Sequence, residues 1–283
     1  MTSLTPPLAP RVKTWEDARL QSVRALGKRS ERDRTQTFFA EGLRFVGQAV
    51  AQNAQIEAVL VVPKALDYPF GLRLRRQLER RRVPLWEVTP DLFLRLSRAE
   101  EPQWIGAVVR QRWEPLAGVT VSHPPTDGLC WVALDEVHSP GNLGTILRTG
   151  DAVGASGLIL IGDAVDPYDP ACVRATMGAI FAQRLVRVSP REFAAWKRQA
   201  GFHLVGTSPH AALDYQALSY PAPTVLLMGG ERKGLSEERQ RLCDALVRLP
   251  MVGQSDSLNL AVATGVLLYE IFNQRRRNGC QSG

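Results

Sequence analysis

The sequence predicts an α/β protein: a small N-terminal α/β domain, then a larger domain whose mostly parallel sheet is covered on both faces. Three observations carry this reading. Short apolar runs alternate with helical patterns along nearly the whole chain, which is the signature of strand–helix–strand units. A proline-rich stretch, His123-Pro124-Pro125-Thr126-Asp127-Gly128, interrupts the alternation and marks a boundary. The charge excess also changes across that boundary.

The elements follow in order. After a pattern-poor start, Phe38-Phe39-Ala40-Glu41-Gly42 opens the first domain, and Leu43, Val46, Gly47 and Val50 recur at helical spacing. A strand at Ile56 to Val62, a basic helix near Leu72 to Arg82, a strand at Pro84 to Val88, a helix at Pro90 to Leu96 and a strand at Ile105 to Arg110 complete it. Beyond the boundary, a strand at Leu129 to Leu134, a helix at Leu143 to Val153 and a strand at Leu158 to Ile161 begin the second domain. Further strands are expected at Arg184 to Val188, Phe202 to Thr207, Thr224 to Met228 and Ala245 to Leu249, before an apolar helix from Leu260 to Phe272. The resulting boundaries are a flexible start at 1–14, a first domain at 15–113, a linker at 114–128, a second domain at 129–277 and a flexible tail at 278–283.

At 283 residues and 45% hydrophobic content the chain can bury real cores. No apolar run approaches the roughly 20 residues of a membrane helix, and Met1 to Lys13 holds no apolar signal core, so a cytoplasmic protein with no membrane partner is expected. The four cysteines and four histidines show no ligand spacing, and no metal is implied. Through Pro125 there are 20 Lys and Arg against 13 Asp and Glu, and the remainder holds 15 against 15. A single run such as Arg73-Leu74-Arg75-Arg76 reads as a solvated helix face. Confinement of the whole +7 excess to one domain favours a polyanion, because phosphate neutralisation supplies the sequence-independent share of nucleic-acid affinity.

Parallel sheets bind ligands in the loops beyond the carboxyl ends of their strands. The dinucleotide fingerprint fails there: Gly150, Gly154 and Gly157 end a helix and precede a strand, the reverse of the order that aims amides at a pyrophosphate. They read as helix-stop and packing glycines. The turn Met228-Gly229-Gly230-Glu231-Arg232-Lys233-Gly234-Leu235-Ser236 has the glycine gap of a phosphate loop, but Leu235 stands where the lysine belongs. A nucleotide triphosphatase and a nucleotide-dependent oxidoreductase are both disfavoured.

What the chain resembles is the SpoU (TrmH) family of RNA ribose 2′-O-methyltransferases, within the SPOUT superfamily. Three motifs match in order: N-x-G-x-x-x-R at Asn142 to Arg148, G-x-E-x-x-G-L at Gly229 to Leu235, and Leu249-Pro250-Met251 running to Ser257-Leu258-Asn259. Each is weak alone and together they are specific. Gly230 and Leu249 depart mildly from the usual residues. The resemblance spans Leu129 to about Gln274, and the first domain is similar to the family's ribosomal-protein-like substrate-binding domain. It implies a sheet closed by a deep trefoil knot, S-adenosylmethionine as cofactor, and a homodimer through the C-terminal domain. Residue matching implies Gly229, Leu249 and Leu258 at the cofactor, with Thr207 and Met251 nearby, and Arg148, Asn142, Glu231, Ser257 and Asn259 at the reaction. Ribosomal RNA, most simply 23S, is favoured over transfer RNA as substrate because accessory domains of this kind are commoner on ribosomal-RNA enzymes. A transfer-RNA enzyme and a catalytically silent RNA-binding protein are the alternatives.

Each of these residues also has a duller reading. Asn142, after Ser139-Pro140-Gly141, reads as a helix cap. Glu231 can satisfy amides in its own glycine turn, and Ser257 or Asn259 starts the last helix while one of them faces a ribose. Arg148 needs a counter-anion, for which Asp135 and Glu136 are candidates. A guanidinium is a very poor proton acceptor, so its expected role is orienting a hydroxyl and its phosphate through charge-assisted hydrogen bonds.

Overall fold

The computed structural model describes residues 11–120, 129–162 and 165–280. Most of the expected linker, the first ten residues and the last three lie outside them. The chain divides into two units, one running to Gln111 and including Tyr168–Phe181, the other comprising Arg112–Pro167 and the residues from Ala182 onward.

The first unit begins with two helices that the apolar pattern does not reveal, α1 (Ala18–Ala25) and α2 (Arg29–Thr35). α2 is almost wholly polar, and its one buried residue is Arg32, which donates from Nη1 to the Leu26 carbonyl at 2.9 Å. There follow β1 (Thr37–Glu41), α3 (Leu43–Ala51), β2 (Ile56–Val61), α4 (Pro69–Arg80), β3 (Leu85–Glu87), α5 (Pro90–Leu96) and β4 (Ile105–Arg110). The sheet order is β1-β4-β2-β3, with β4 antiparallel to both neighbours and β2 parallel to β3. α4 starts three residues before the apolar pattern suggests, because Pro69 sits at its first position, where no amide is needed. It buries Gly71, Leu74 and Leu78 and turns its arginines to solvent. Leu20, Val23, Leu60, Val88, Phe93 and Val108 meet in one core. The chain start is tied down from Arg11, since the Val12 amide donates to the Glu87 carbonyl at 2.9 Å and Val12 is buried.

The second unit opens with residues placed by sequence in the linker. Glu114 donates its amide to the Leu185 carbonyl, and Val119 is buried in the core. β5 (Trp131–Asp135), α6 (Pro140–Val153) and β6 (Gly157–Ile161) follow. α6 runs from Ser139, whose hydroxyl accepts from the Asn142 amide at 3.2 Å, to Gly154, a left-handed cap. The cap is therefore Ser139 and not Asn142. α7 (Pro170–Ala175) belongs with the first unit, where Tyr168 and Phe181 pack their rings 4.7 and 6.0 Å from that of Phe38. The chain returns as β7 (Leu185–Val188), α8 (Pro190–Lys197), β8 (His203–Thr207), β9 (Leu213–Asp214), β10 (Thr224–Met228), α9 (Glu237–Leu242), β11 (Ala245–Arg248) and α10 (Leu260–Cys280). The backbone of α10 thus continues past the expected end of order at Arg277.

The seven strands lie in the order β7-β6-β5-β10-β8-β11-β9, and every pairing is parallel. Both faces must then be covered, and every residue of β5, β6 and β10 is buried. α6 and α10 pack together. Ala133, Ile159, Val186, Phe193, Phe202 and Leu227 form a core cluster that Trp196 joins. The order reverses between β5 and β10, the crevice where such sheets take ligands.

Candidate functional site at the strand crossover

The turns leaving β5 and β10 are adjacent because those strands are paired, with Leu134 opposite Met228. After β10 the chain closes on itself: the Gly234 amide donates to the Gly230 carbonyl at 3.0 Å, and Gly234 has a positive φ of 62°. Within this turn a side chain at 229 would collide with the Gly234 carbonyl, which requires glycine there. A Cβ at 230 would stand 2.9 Å from the Glu136 carbonyl oxygen, so Gly230 allows the two turns to touch.

Glu231 joins them. Its carboxylate accepts from the His138 amide at 3.3 Å, the Ser139 amide at 3.1 Å and Asn142 Nδ2 at 3.2 Å. It serves the amides that lead into α6 as well as its own. Burial pushes this carboxyl up, but the hydrogen bonds from its own amide, Ser139, Asn142 and His138 outweigh that and leave it below the usual carboxylate value. It is an ionised acceptor at neutral pH and a weak base. Asn142 Oδ1 in turn accepts from Asn259 Nδ2 at 3.0 Å. Asn259 caps α10, its Oδ1 taking the Ala261 and Val262 amides at 2.9 and 3.3 Å. One polar chain therefore links the three turns that sequence singled out. Ser257 is exposed and donates to Asp256 Oδ1 at 3.2 Å, so Asn259 alone starts the helix.

Beside this chain lies a cavity of about 350 Å³, within the roughly 300–1,000 Å³ range of small-molecule sites. Thr207, Gly229, Leu249, Met251 and Leu258 all line it, as do Glu231 and Ser257. Sequence reasoning missed Ser208, Arg232, Lys233 and Asp256, which also line it; Arg232 and Lys233 occupy the unspecified positions of the G-x-E-x-x-G-L motif. The walls suit S-adenosylmethionine. Met228, Val247 and Leu260 supply apolar surface, the glycine turn brings backbone close enough for amide and carbonyl contacts to an adenosine, and the Glu231 and Asp256 carboxylates offer counter-charge to a sulfonium.

Arg148 stands apart. It is exposed on α6, about 9 Å along the helix from Asn142 at 1.5 Å per residue, and makes no hydrogen bond or ion pair among the described residues. Asp135, a candidate counter-anion, pairs instead with Arg239 of α9, whose Nε donates to its Oδ2 at 2.9 Å. Both are buried, and burial raises the Asp135 pKa against the pull of Arg239. Among the described residues no His, Cys, Asp and Glu group could hold a metal ion.

The parallel seven-stranded sheet, its crossover turns bonded together beside a cavity of cofactor size, matches the fold of the SPOUT methyltransferases. The chain belongs to the SpoU rRNA methylase family: residues 130–269 match that family, and residues 17–107 match the MRM3-like substrate binding domain. It is 36% identical over 277 residues to a 23S rRNA (uridine(2479)-2′-O)-methyltransferase of Streptomyces viridochromogenes, with 95% of this chain and 94% of the relative covered. A 23S rRNA (guanosine-2′-O-)-methyltransferase of Pseudomonas aeruginosa is 41% identical over 263 residues, covering 92% of this chain and 97% of its own. The crystal structure of an AdoMet-bound rRNA methyltransferase from Sinorhizobium meliloti superposes with a TM-score of 0.84 at 38% identity, covering 93% of this chain and 97% of that one.

Proposed function

We propose that this protein transfers a methyl group from S-adenosylmethionine to a ribose 2′-hydroxyl of 23S ribosomal RNA. The observation that carries the reading is the hydrogen-bonded chain Glu231–Asn142–Asn259, which ties the three family motifs together beside the cavity that Glu231 lines. Relatives matched along nearly their whole length bear 23S rRNA names with different target bases, so the RNA class is supported and the nucleotide is left open.

S-adenosylmethionine supplies a methyl group on a sulfonium, a good leaving group, so the protein's work is alignment and management of the hydroxyl proton. Gly229, Leu249 and Leu258 hold the cofactor through backbone groups, with Thr207 and Met251 completing the wall. Arg148 is the residue at the reaction: its unpaired guanidinium orients the 2′-oxygen and an adjacent phosphate. Asn142, Glu231 and Asn259 hold the turns in register, and Ser257, exposed at the rim, faces the ribose. Arg148 projects from its own chain without a partner, which fits a site completed by a second subunit. Val252, Leu258, Val262 and Tyr269 are large exposed apolar side chains on and before α10, and they support a homodimer through this unit. The parallel crossovers that put β10 between β5 and β8 are compatible with a trefoil knot closed by the segment ending in α10. The basic first domain, 15–113, is the RNA-holding part and 129–277 the catalytic part. Among the described residues no helix is long and apolar enough to cross a membrane, and an RNA substrate fits work in the cytoplasm.

The test is incubation with methyl-labelled S-adenosylmethionine and either unmodified 23S rRNA or transfer RNA, followed by alkaline cleavage. A 2′-O-methyl group blocks attack on the neighbouring phosphate, so the labelled position resists cleavage. Label confined to a base overturns the reaction, and label on transfer RNA alone overturns the substrate. Light scattering that reports a monomer removes the dimer.

A further inference from the structure

The first unit contains a second cavity, of about 140 Å³, far from the motifs described above in sequence and unlike them in chemistry. Four arginines line it, Arg24 of α1, Arg95 of α5, Arg98 just beyond it and Arg174 of α7, and Glu41 is the single carboxylate among its lining residues. All four arginines are exposed, and none forms an ion pair among the described residues. Arg34, Arg75, Arg110 and Arg241, also exposed, each pair with a glutamate, as does the half-buried Arg184. Glu41 forms no ion pair with the cluster among the described residues; its Oε1 accepts from Ser97 Oγ at 2.7 Å and from the Gln103 amide at 3.2 Å.

Three of the guanidiniums are also held. The Cζ atoms of Arg24 and Arg95 lie 5.4 and 5.0 Å from the centroid of the same Trp15 ring, itself packed on the core of this unit. Such cation–π contacts restrict the side chains while leaving their N–H donors unused. Arg98 lies over Gly27, where any Cβ would collide with its guanidinium. Three restrained guanidiniums and that of Arg174, all without an ion pair, line a space too small for a peptide segment and suit one compact anion that accepts several hydrogen bonds at once.

We infer that this cleft is a docking site for a backbone phosphate of the substrate RNA, held by Arg24, Arg95, Arg98 and Arg174. The inference rests on the RNA-methyltransferase reading and deepens it. The scattered basic excess of the first domain thereby acquires a geometric focus, and α7, which lies in sequence within the catalytic part, contributes Arg174 to it. A phosphate contact fixes register without reading sequence, so base choice belongs elsewhere.

The experiment measures binding of the full-length protein to unmodified 23S rRNA transcribed in vitro, across a salt series, with Arg24→Gln, Arg98→Gln, Arg174→Gln and Gly27→Ala. Each arginine variant is expected to weaken binding roughly 5- to 10-fold and to flatten the log K against log salt slope by about 0.7 to 0.9. Gly27→Ala should reproduce the Arg98→Gln loss with little change in melting, because its Cβ displaces the exposed Arg98 guanidinium and otherwise meets only the Arg24 carbonyl, at 3.3 Å. KM for RNA should rise while kcat at saturating RNA and cofactor affinity stay at wild-type values. Wild-type affinity and salt slope in Arg98→Gln and Gly27→Ala overturn the cleft. If the wild-type product carries its label on a base while the arginine variants still bind weakly, the cleft stands and the 2′-hydroxyl reading falls.

Discussion

Asn142 Oδ1 accepts a hydrogen bond from Asn259 Nδ2 at 3.0 Å across 117 residues of chain, while Asn142 Nδ2 donates to Glu231. The direction of this relay is fixed at both ends. An ionised Glu231 can only accept, and the Ala261 and Val262 amides can only donate to Asn259 Oδ1. Neither asparagine can turn its amide over without opposing two acceptors or two donors.

Asn142→Asp should therefore damage the enzyme at least as much as Asn142→Ala, although it is the closer substitution. It keeps the bond from Asn259 but sets a second carboxylate against Glu231. Turnover is expected to fall by about tenfold or more, with each decade corresponding to about 1.4 kcal/mol, and to recover partly as pH is lowered and one of the two carboxyls protonates. Steady-state rates of both variants between pH 5 and 8 test this, and a harmless Asn142→Asp breaks the relay argument.

Glu231 gives the fold a pH dependence of known sign. Its folded pKa lies below the ordinary value of 4.5, so its stabilising contribution is present above that value and is lost as pH falls through the folded pKa. Glu231→Gln should remove this acid-side loss and leave the rate profile near pH 7 without a missing ionisation, because a carboxylate held this low is not the base. Thermal melts of both proteins from pH 3 to 7 measure the first effect; identical acid limbs contradict it.

These residues were legible because each is polar inside an otherwise glycine-rich or apolar turn. Their partners were not. In Ser139-Pro140-Gly141-Asn142 two residues can cap a helix, and the proline decides: it fits the first helical position, which makes Ser139 the cap and frees the Asn142 side chain for the relay. Serine and asparagine cap about equally well, so residue type alone does not choose between them. Buried charge was beyond reach. Arg32 within α2 and the Arg239–Asp135 pair, 104 residues apart, obey no local period, so apolar spacing could reveal neither. The excursion of α7 into the first unit is likewise set by rings meeting Phe38.

Arg148→Ala should lower turnover on the order of 100-fold, the scale of losing one preorganised charge-assisted contact at developing negative charge, with cofactor affinity and melting unchanged. Because Arg148 has no partner among the described residues, its removal strands no group. Arg148→Lys should recover only part of the rate, since an ammonium cannot fork across an oxygen pair. Normal turnover in a folded, cofactor-binding Arg148→Ala removes the residue from the reaction.

The Arg239–Asp135 pair carries the last expectation. Asp135 ends β5 and leads into the turn whose amides bind Glu231, so Arg239 braces the floor of the site from α9 without touching the relay. Removing one partner leaves a buried charge, and Arg239→Ala should cost about 3–5 kcal/mol of stability. Asp135 has its folded pKa raised by burial, so its own contribution is fullest below the unfolded pKa, near 3.8, and declines as pH rises through the folded value, opposite in sign to that of Glu231. Replacing both partners, as in Asp135→Asn with Arg239→Met, removes both buried charges and should restore most of the lost stability. Denaturant midpoints of the single and double variants form a cycle that isolates the pair. A double variant no more stable than Arg239→Ala would show that the pair is intrinsic to the turn's shape rather than a compensated charge.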